Sequence, residues 1–263
     1  MYRGVVLDLD GTVYRGGSPI EGAPAAVERL RDRGLNVLFF SNNPTKTRVD
    51  YVERLAEMGV EAAVGEVLSA GTVTTEYLHE HHADEATYLV GAPGLREQLV
   101  AADLPLTDDT DAAEVLVTSW TDAFDYRGLT DAYRAGKDGA TFIGTDPDRL
   151  VPASGDRMVP GSGAITNAVA GVLEREPDRV LGKPSAEAVS MAREALGVPL
   201  EECLVVGDRL NTDLALGEAA GMTTVLVRTG VATAADVERS EVTPDHVIDS
   251  LADIDAVLDG AGS

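Results

Sequence analysis

Cysteine is almost missing: Cys203 is the only one in 263 residues. A disulfide within the chain is therefore impossible. Cys203 lies in the apolar run ECLVVG and reads as a small core residue, because a reactive thiol would need a cationic neighbour and the run offers none. Lysine is nearly as scarce. Only Lys46, Lys137 and Lys183 occur, and the other basic residues are arginine. Positive charge is short overall, with 21 bases against 45 acids and a net charge of -24. Such a surface repels nucleic acid and anionic membranes. It suits concentrated salt, where the Debye length falls to about 3 Å at 1 M and self-repulsion is screened. A halophilic protein is the expectation. No apolar run reaches the roughly 20 residues of a membrane span. No basic-then-apolar leader opens the chain, since Met1-Tyr2-Arg3 runs directly into an apolar stretch, so a cytoplasmic location is expected. What is present is a hydrophobic fraction of 44%, enough for one large domain or two smaller ones.

Strand and helix patterns alternate along the chain. VVLDLD, LNVLFFS, CLVVGD and TTVLV are apolar on both faces, as buried parallel strands are. Between them, Pro24–Leu30 reads as a helix closed by Gly34. Arg48–Met58 reads as another, with Val49, Val52, Leu55 and Ala56 inward. Ser185 is placed to cap a helix running to Leu196, and Leu214–Ala220 reads as a short helix. The middle of the chain has its own strands, TYLVG, EVLVTSW and ATFIG, with helices over Gly94–Ala102 and Tyr126–Ala135. The pattern predicts an α/β fold: a doubly wound, parallel-sheet, Rossmann-like core over residues 1–83 and 178–263, with an inserted α/β domain over 84–177. The closing DGAGS is expected to be loose.

In such sheets, sites form at the carboxyl ends of strands. VVLDLDGT ends in Asp8 and Asp10, LNVLFFSNN in Ser41, Asn42 and Asn43, and CLVVGDRLNTD in Asp208, with Asp213 beyond. RVLGKPS carries Lys183. Two carboxylates about 4 Å apart repel by roughly 4 kcal/mol at an effective dielectric of 20, and a hard cation such as Mg²⁺ relieves this. Ser41, Asn42 and Lys183 are donors suited to an anion's oxygens. Carboxylates with a metal on one side and anion donors on the other fit phosphoryl transfer. One aspartate would attack phosphorus, and the other would donate and then accept a proton.

The segments DLDGTVYRG, FFSNNPTKTR, LGKPS and VVGDRLNTDLALG resemble the haloacid dehalogenase-like (HAD) hydrolase superfamily, most closely its NagD-type branch, subfamily IIA. The resemblance implies a Mg²⁺-dependent phosphatase acting on a small phosphomonoester through an aspartyl-phosphate. It implies Asp8 as nucleophile and metal ligand, and Asp10 as general acid/base with its backbone carbonyl on the metal. Ser41 and Asn42 would bind phosphate, and Lys183 would hold nucleophile and phosphate together. Asp208 would be the third metal ligand, and Asp213 would orient metal-bound water. The inserted domain resembles the family's cap, which selects substrate and through which copies often pair. Its segment GTDPDRL has Asp146 where the family commonly has Asn, a departure that bears on specificity; Asp146 and Asn43 are candidate substrate residues. The alternatives are a receiver-like signalling or phosphate-binding protein without turnover, and a HAD hydrolase that is not a phosphatase. A receiver would be about half as long, and a dehalogenase would lack the second aspartate. His79, His81 and His82 lack a third ligand and read as a solvated helix end. PGSGAI lacks the third glycine of a dinucleotide loop and reads as an entry to a helix.

Overall fold

The computed structural model describes residues 1–153 and 157–260. In chain order the first strands are β1 (Gly4–Leu7), β2 (Tyr14–Arg15), β3 (Ser18–Pro19), β4 (Asn36–Ser41) and β5 (Val67–Ser69). Then come β6 (Thr87–Val90), β7 (Leu106–Thr107), β8 (Val115–Thr118), β9 (Thr141–Gly144), β10 (Leu150–Pro152), β11 (Met158–Pro160) and β12 (Arg179–Val180). The last are β13 (Cys203–Gly207), β14 (Thr223–Val227) and β15 (His246–Ile248). The helices are α1 (Ala23–Asp32), α2 (Arg48–Glu57), α3 (Ala70–His81), α4 (Pro93–Ala101) and α5 (Tyr126–Gly136), followed by α6 (Ser162–Leu173), α7 (Ala186–Leu196), α8 (Ala215–Ala220), α9 (Ala234–Arg239) and α10 (Asp255–Gly260).

The chain divides into two compact units. The first holds Met1–Ser41, Arg48–Leu68 and Lys183–Ser263; the second holds Asn42–Thr47 and Ser69–Gly182. The second begins at Ser69, ahead of residue 84, because α3 packs against α4 and both belong to it.

The first unit is built on a six-stranded sheet in the order β15-β14-β13-β1-β4-β5. The pairings β1–β4, β1–β13, β13–β14 and β14–β15 are all parallel. The chain starts at the centre, winds outward through β4 and β5, and returns to build the other half from β13. The order therefore reverses at β1 and β13, which lie side by side with Leu7 level with Val206. A crevice forms at such a reversal, beyond the carboxyl ends of the two strands. β1 and β13 are buried along their whole length, so they read as continuous apolar runs rather than alternating ones. Their layer packs through Val5, Leu7, Leu204 and Val206 against Val27 and Leu30 of α1 and Leu55 of α2.

The second unit has its own parallel sheet, ordered β12-β9-β8-β6-β7. Its core joins Leu116, Phe142, Ala132 and Val169. Gly161 precedes α6, so PGSGAI is a helix entry here.

Two details depart from the pattern read in the sequence. The inward face of α2 is Tyr51 and Leu55, while Val49 is 52% exposed and Ala56 faces solvent. Burying one large aromatic removes more apolar surface than burying a valine and an alanine, and its hydroxyl finds a partner (below). At the carboxyl terminus, Asp259 and Gly260 close α10 rather than hanging loose, and 261–263 lie outside the described residues.

Candidate active site

Asp8 is the first residue after β1, and its N–H still bonds the Val206 carbonyl of β13 at 2.9 Å, so the sheet fixes where its side chain starts. Asp208 is the first residue after β13. Leu210–Leu214 then form one widened helical turn that turns Asp213 back toward the sheet. A Cβ on Gly207 would lie 2.3 Å from the Asp213 Cβ, so only glycine there lets this aspartate approach the strand end. The result is one carboxylate oxygen from each of Asp8, Asp208 and Asp213, all within 4.8 Å of one another.

Lys183 answers these charges. It is 1% exposed, and its Nζ donates to Asp8 Oδ1 at 2.7 Å, Asp213 Oδ1 at 2.6 Å and the Phe40 carbonyl at 2.6 Å. Burial by itself would lower its pKa, but Asp213 and Asp8 outweigh burial and hold it above the ordinary range, so the amine is an ammonium. Burial pushes the Asp8 carboxyl well up, Asp213 and Asp208 add to this, and Lys183 opposes it. Burial and Asp213 likewise raise Asp208, to about 7.

Three carboxylates and one ammonium sum to a formal charge of -2. A divalent cation would cancel it, and a set of carboxylate oxygens is what Mg²⁺ takes. The donor chemistry therefore fits the metal that the sequence resemblance implied. Asp213 has both oxygens engaged, Oδ1 by Lys183 and Oδ2 by the N–H groups of Asp208 and Arg209 at 3.2 and 3.0 Å. That favours a role in orienting its neighbours over direct ligation. Asp10 is exposed, and its side chain is not one of the carboxylates in this group.

Ser41 ends β4, directly after the Phe40 whose carbonyl receives Lys183. Its hydroxyl accepts from Tyr51 Oη at 3.3 Å. Tyr51 was not singled out in the sequence. Its neighbour one turn along α2, Arg54, stacks over the Tyr14 ring at 4.4 Å and donates to the Gly16 carbonyl. One helix thus touches both the segment after β1 and the end of β4. Burial holds both phenols above their usual range, so they are neutral donors.

The other candidates belong to the second unit. Asn42 Nδ2 reaches Asp148 Oδ2 at 3.4 Å, and the Asp148 N–H bonds Asp146 Oδ1 at 3.1 Å. Thr145 Oγ1 bonds both Asp146 Oδ2 at 3.1 Å and Ser119 Oγ at 3.0 Å. Burial, helped by Asp148, raises Asp146 to about 7. Asn43 forms a local turn, its Oδ1 accepting from the N–H and hydroxyl of Thr45 at 2.9 and 2.7 Å. His81 and His82 pack their rings tilted against Tyr77 at the end of α3, with His82 bonded to Glu85 at 2.8 Å. Among the described residues, the group suited to a metal is the one at Asp8.

Residues 5–105 match the family model described as haloacid dehalogenase-like hydrolase, and 180–254 match a HAD-hydrolase-like model. The acid sugar phosphatase of Staphylococcus aureus (strain USA300) is 34% identical over 258 residues, 98% of each chain. The chain belongs to the haloacid dehalogenase-like hydrolases. A second HAD relative, the sugar-phosphatase AraL of Bacillus subtilis, is 33% identical over 95% of this chain and 91% of its own. Among solved HAD structures, the p-nitrophenyl phosphatase from Archaeoglobus fulgidus superposes with a TM-score of 0.90 at 35% identity, covering 97% of this chain and 99% of its own. NagD from E. coli K-12 gives 0.85 at 26%, covering 96% and 98%. The NagD-like branch of the family is thereby identified.

Proposed function

We propose that this HAD phosphoric monoester hydrolase cleaves a small sugar phosphate or similar phosphomonoester by way of an aspartyl-phosphate on Asp8. The observation that carries the reading is the Lys183 ammonium bonded to Asp8 at 2.7 Å, with the carboxylates of Asp208 and Asp213 gathered beside it at the sheet's reversal point. Asp8, Asp208 and the Asp10 carbonyl would hold Mg²⁺, which when bound supplies positive charge to the transferring phosphoryl group. Asp8 attacks phosphorus through one carboxylate oxygen, while Lys183 holds that carboxylate in place and opposes the upward push that burial gives its pKa. Asp10 is exposed and outside the buried cluster, on the side from which a leaving group would come. It gives its proton to the departing alkoxide and then takes one from the water that attacks the acyl phosphate. Ser41 and Asn42 would bind the remaining phosphoryl oxygens. Two relatives are named for sugar phosphates, which supports that substrate class here.

The second unit acts in this proposal as the substrate-selecting cap. Asp146 takes part through the network that reaches Asn42, and Asn43 shapes the turn that presents it. Copies of the chain would pair through this cap. With its net charge of -24, the protein would work at high salt in the cytoplasm, away from nucleic acid and membranes. No described helix is long and apolar enough to cross a membrane.

Asp8→Asn tests the reading. The variant is expected to fold, to bind phosphate esters and to turn none over. Activity near the normal rate would remove the nucleophile assignment. Equal activity in Mg²⁺ and in EDTA would remove the metal.

A further inference from the structure

We propose that the segment Thr229–Ala232, directly after β14, is a strap that sets the metal affinity of this site by locking the Asp208 carboxylate to the turn that carries Asp10. The proposal rests on the reading of Asp208 and the Asp10 carbonyl as metal ligands. Nothing in the sequence motifs points to these four residues.

The strap grips Asp208 at two points. The Val231 N–H donates to Asp208 Oδ2 at 2.7 Å, and the Ala232 N–H donates to the Asp208 carbonyl at 3.1 Å. It grips the first loop as well, where the Thr229 hydroxyl donates to the Gly11 carbonyl at 2.5 Å. Between these bonds the carboxylate is wedged against two glycines. A Cβ on Gly230 would lie 1.9 Å from Asp208 Oδ2. A Cβ on Gly11 would lie 2.5 Å from the same oxygen, and 3.1 Å from the Gly230 Cα. Gly11 is also held at φ 97, in the left-handed region. Gly230 is not in that region, so its backbone would admit any residue; it is the Asp208 carboxylate that excludes a side chain there.

The consequence follows from geometry. With Oδ2 fixed by a backbone N–H, Oδ1 is the oxygen offered to a cation, at an angle the side chain cannot choose for itself. The Thr229 bond ties the residue next to Asp10 to the same segment. Two ligand-bearing loops, about 200 residues apart in sequence, are thereby held in one register before any cation arrives. Partners of this kind, bonded to a ligand rather than to the metal, typically govern about 10- to 100-fold in metal affinity.

The test is Mn²⁺ binding, followed by the electron paramagnetic resonance of free Mn²⁺, on the full chain after chelation. Urea denaturation in EDTA is run alongside. Gly230→Ala is expected to weaken Mn²⁺ binding by about 10- to 100-fold. Thr229→Val, nearly isosteric, is expected to weaken it by several-fold, and Thr229→Ser to restore it. At saturating metal, the KM for p-nitrophenyl phosphate should stay as in the unaltered protein. Should Gly230→Ala fail to fold, Thr229→Val and its serine counterpart carry the test. Mn²⁺ affinity unchanged in Thr229→Val, with or without a drop in urea midpoint, overturns the strap. Asp208→Asn separates the two layers. If it binds Mn²⁺ as the unaltered protein does, the ligand assignment fails. If it loses Mn²⁺ while the strap variants keep it, only the strap fails.

Discussion

Replacing Lys183 by methionine removes one charge and little volume. In the folded protein the ammonium lies 2.7 Å from an oxygen of Asp8 and 2.6 Å from one of Asp213. At an effective dielectric of 20, each contact is a gross attraction of about 6 kcal/mol. Each pair among the three carboxylates, at separations up to 4.8 Å, repels by at least about 3.5 kcal/mol on the same scale. The gross loss is not the net loss, because the variant no longer has to dehydrate an ammonium. Breaking one side of a buried ion pair costs about 3–5 kcal/mol net, and that is the expected fall in stability. Urea denaturation at neutral pH in EDTA measures it. Adding Mg²⁺ should recover part of the loss, since a divalent cation then faces a formal charge of -3 rather than -2. Turnover should vanish with or without the recovery. A Lys183→Met protein with the unaltered midpoint in EDTA would refute the electrostatic reasoning, because Lys183 would then hold no uncompensated charge apart.

Other expectations follow from single contacts. Asp146 is raised from its ordinary 3.8 to about 7, so the fold prefers its protonated form. Its contribution is complete below the lower value and is lost as pH rises through the higher one, an effect on the order of 4 kcal/mol. Asp146→Asn should flatten stability between about pH 4 and about pH 7, and a profile as steep as the unaltered one would contradict this. Tyr51→Phe removes the donor to Ser41 Oγ; about 1 kcal/mol of stability should go, with a higher KM for phosphate esters, and an unchanged KM would count against a role for Ser41. With a net charge of -24, the thermal midpoint should climb as NaCl rises to molar levels, and a midpoint indifferent to salt would argue against self-repulsion as a governing load.

The parts of the site legible in the sequence are those that a strand end advertises. A buried apolar strand that stops at an aspartate is unusual on energetic grounds, and Asp8 and Asp208 both stood out for that reason. That β1, β4, β13 and β14 belong to a parallel sheet was readable from the same runs, though their order was not. What stayed hidden was whatever acts through backbone or shape. The strap grips Asp208 with peptide N–H groups that any residue would supply, and the glycine that makes room for it has an ordinary backbone. Tyr51 was hidden because periodicity on α2 favoured its valines, and only the packed core shows that the aromatic lies inward. Short strands such as β7 and β12, two residues each, carry too little pattern to be read before their partners are known. The second unit's start at Ser69 was equally invisible, since nothing in the composition changes there.

The central claim is that the carboxylate of Asp8 takes the phosphoryl group. Its most direct test is acid quenching of the enzyme during turnover of a phosphate ester, followed by peptide mapping by mass spectrometry. The expected result is one phosphoryl group on the peptide containing Asp8, labile to hydroxylamine and missing in Asp8→Asn. A phosphoryl group on another residue, or none at any quench time while phosphate is released, would contradict it.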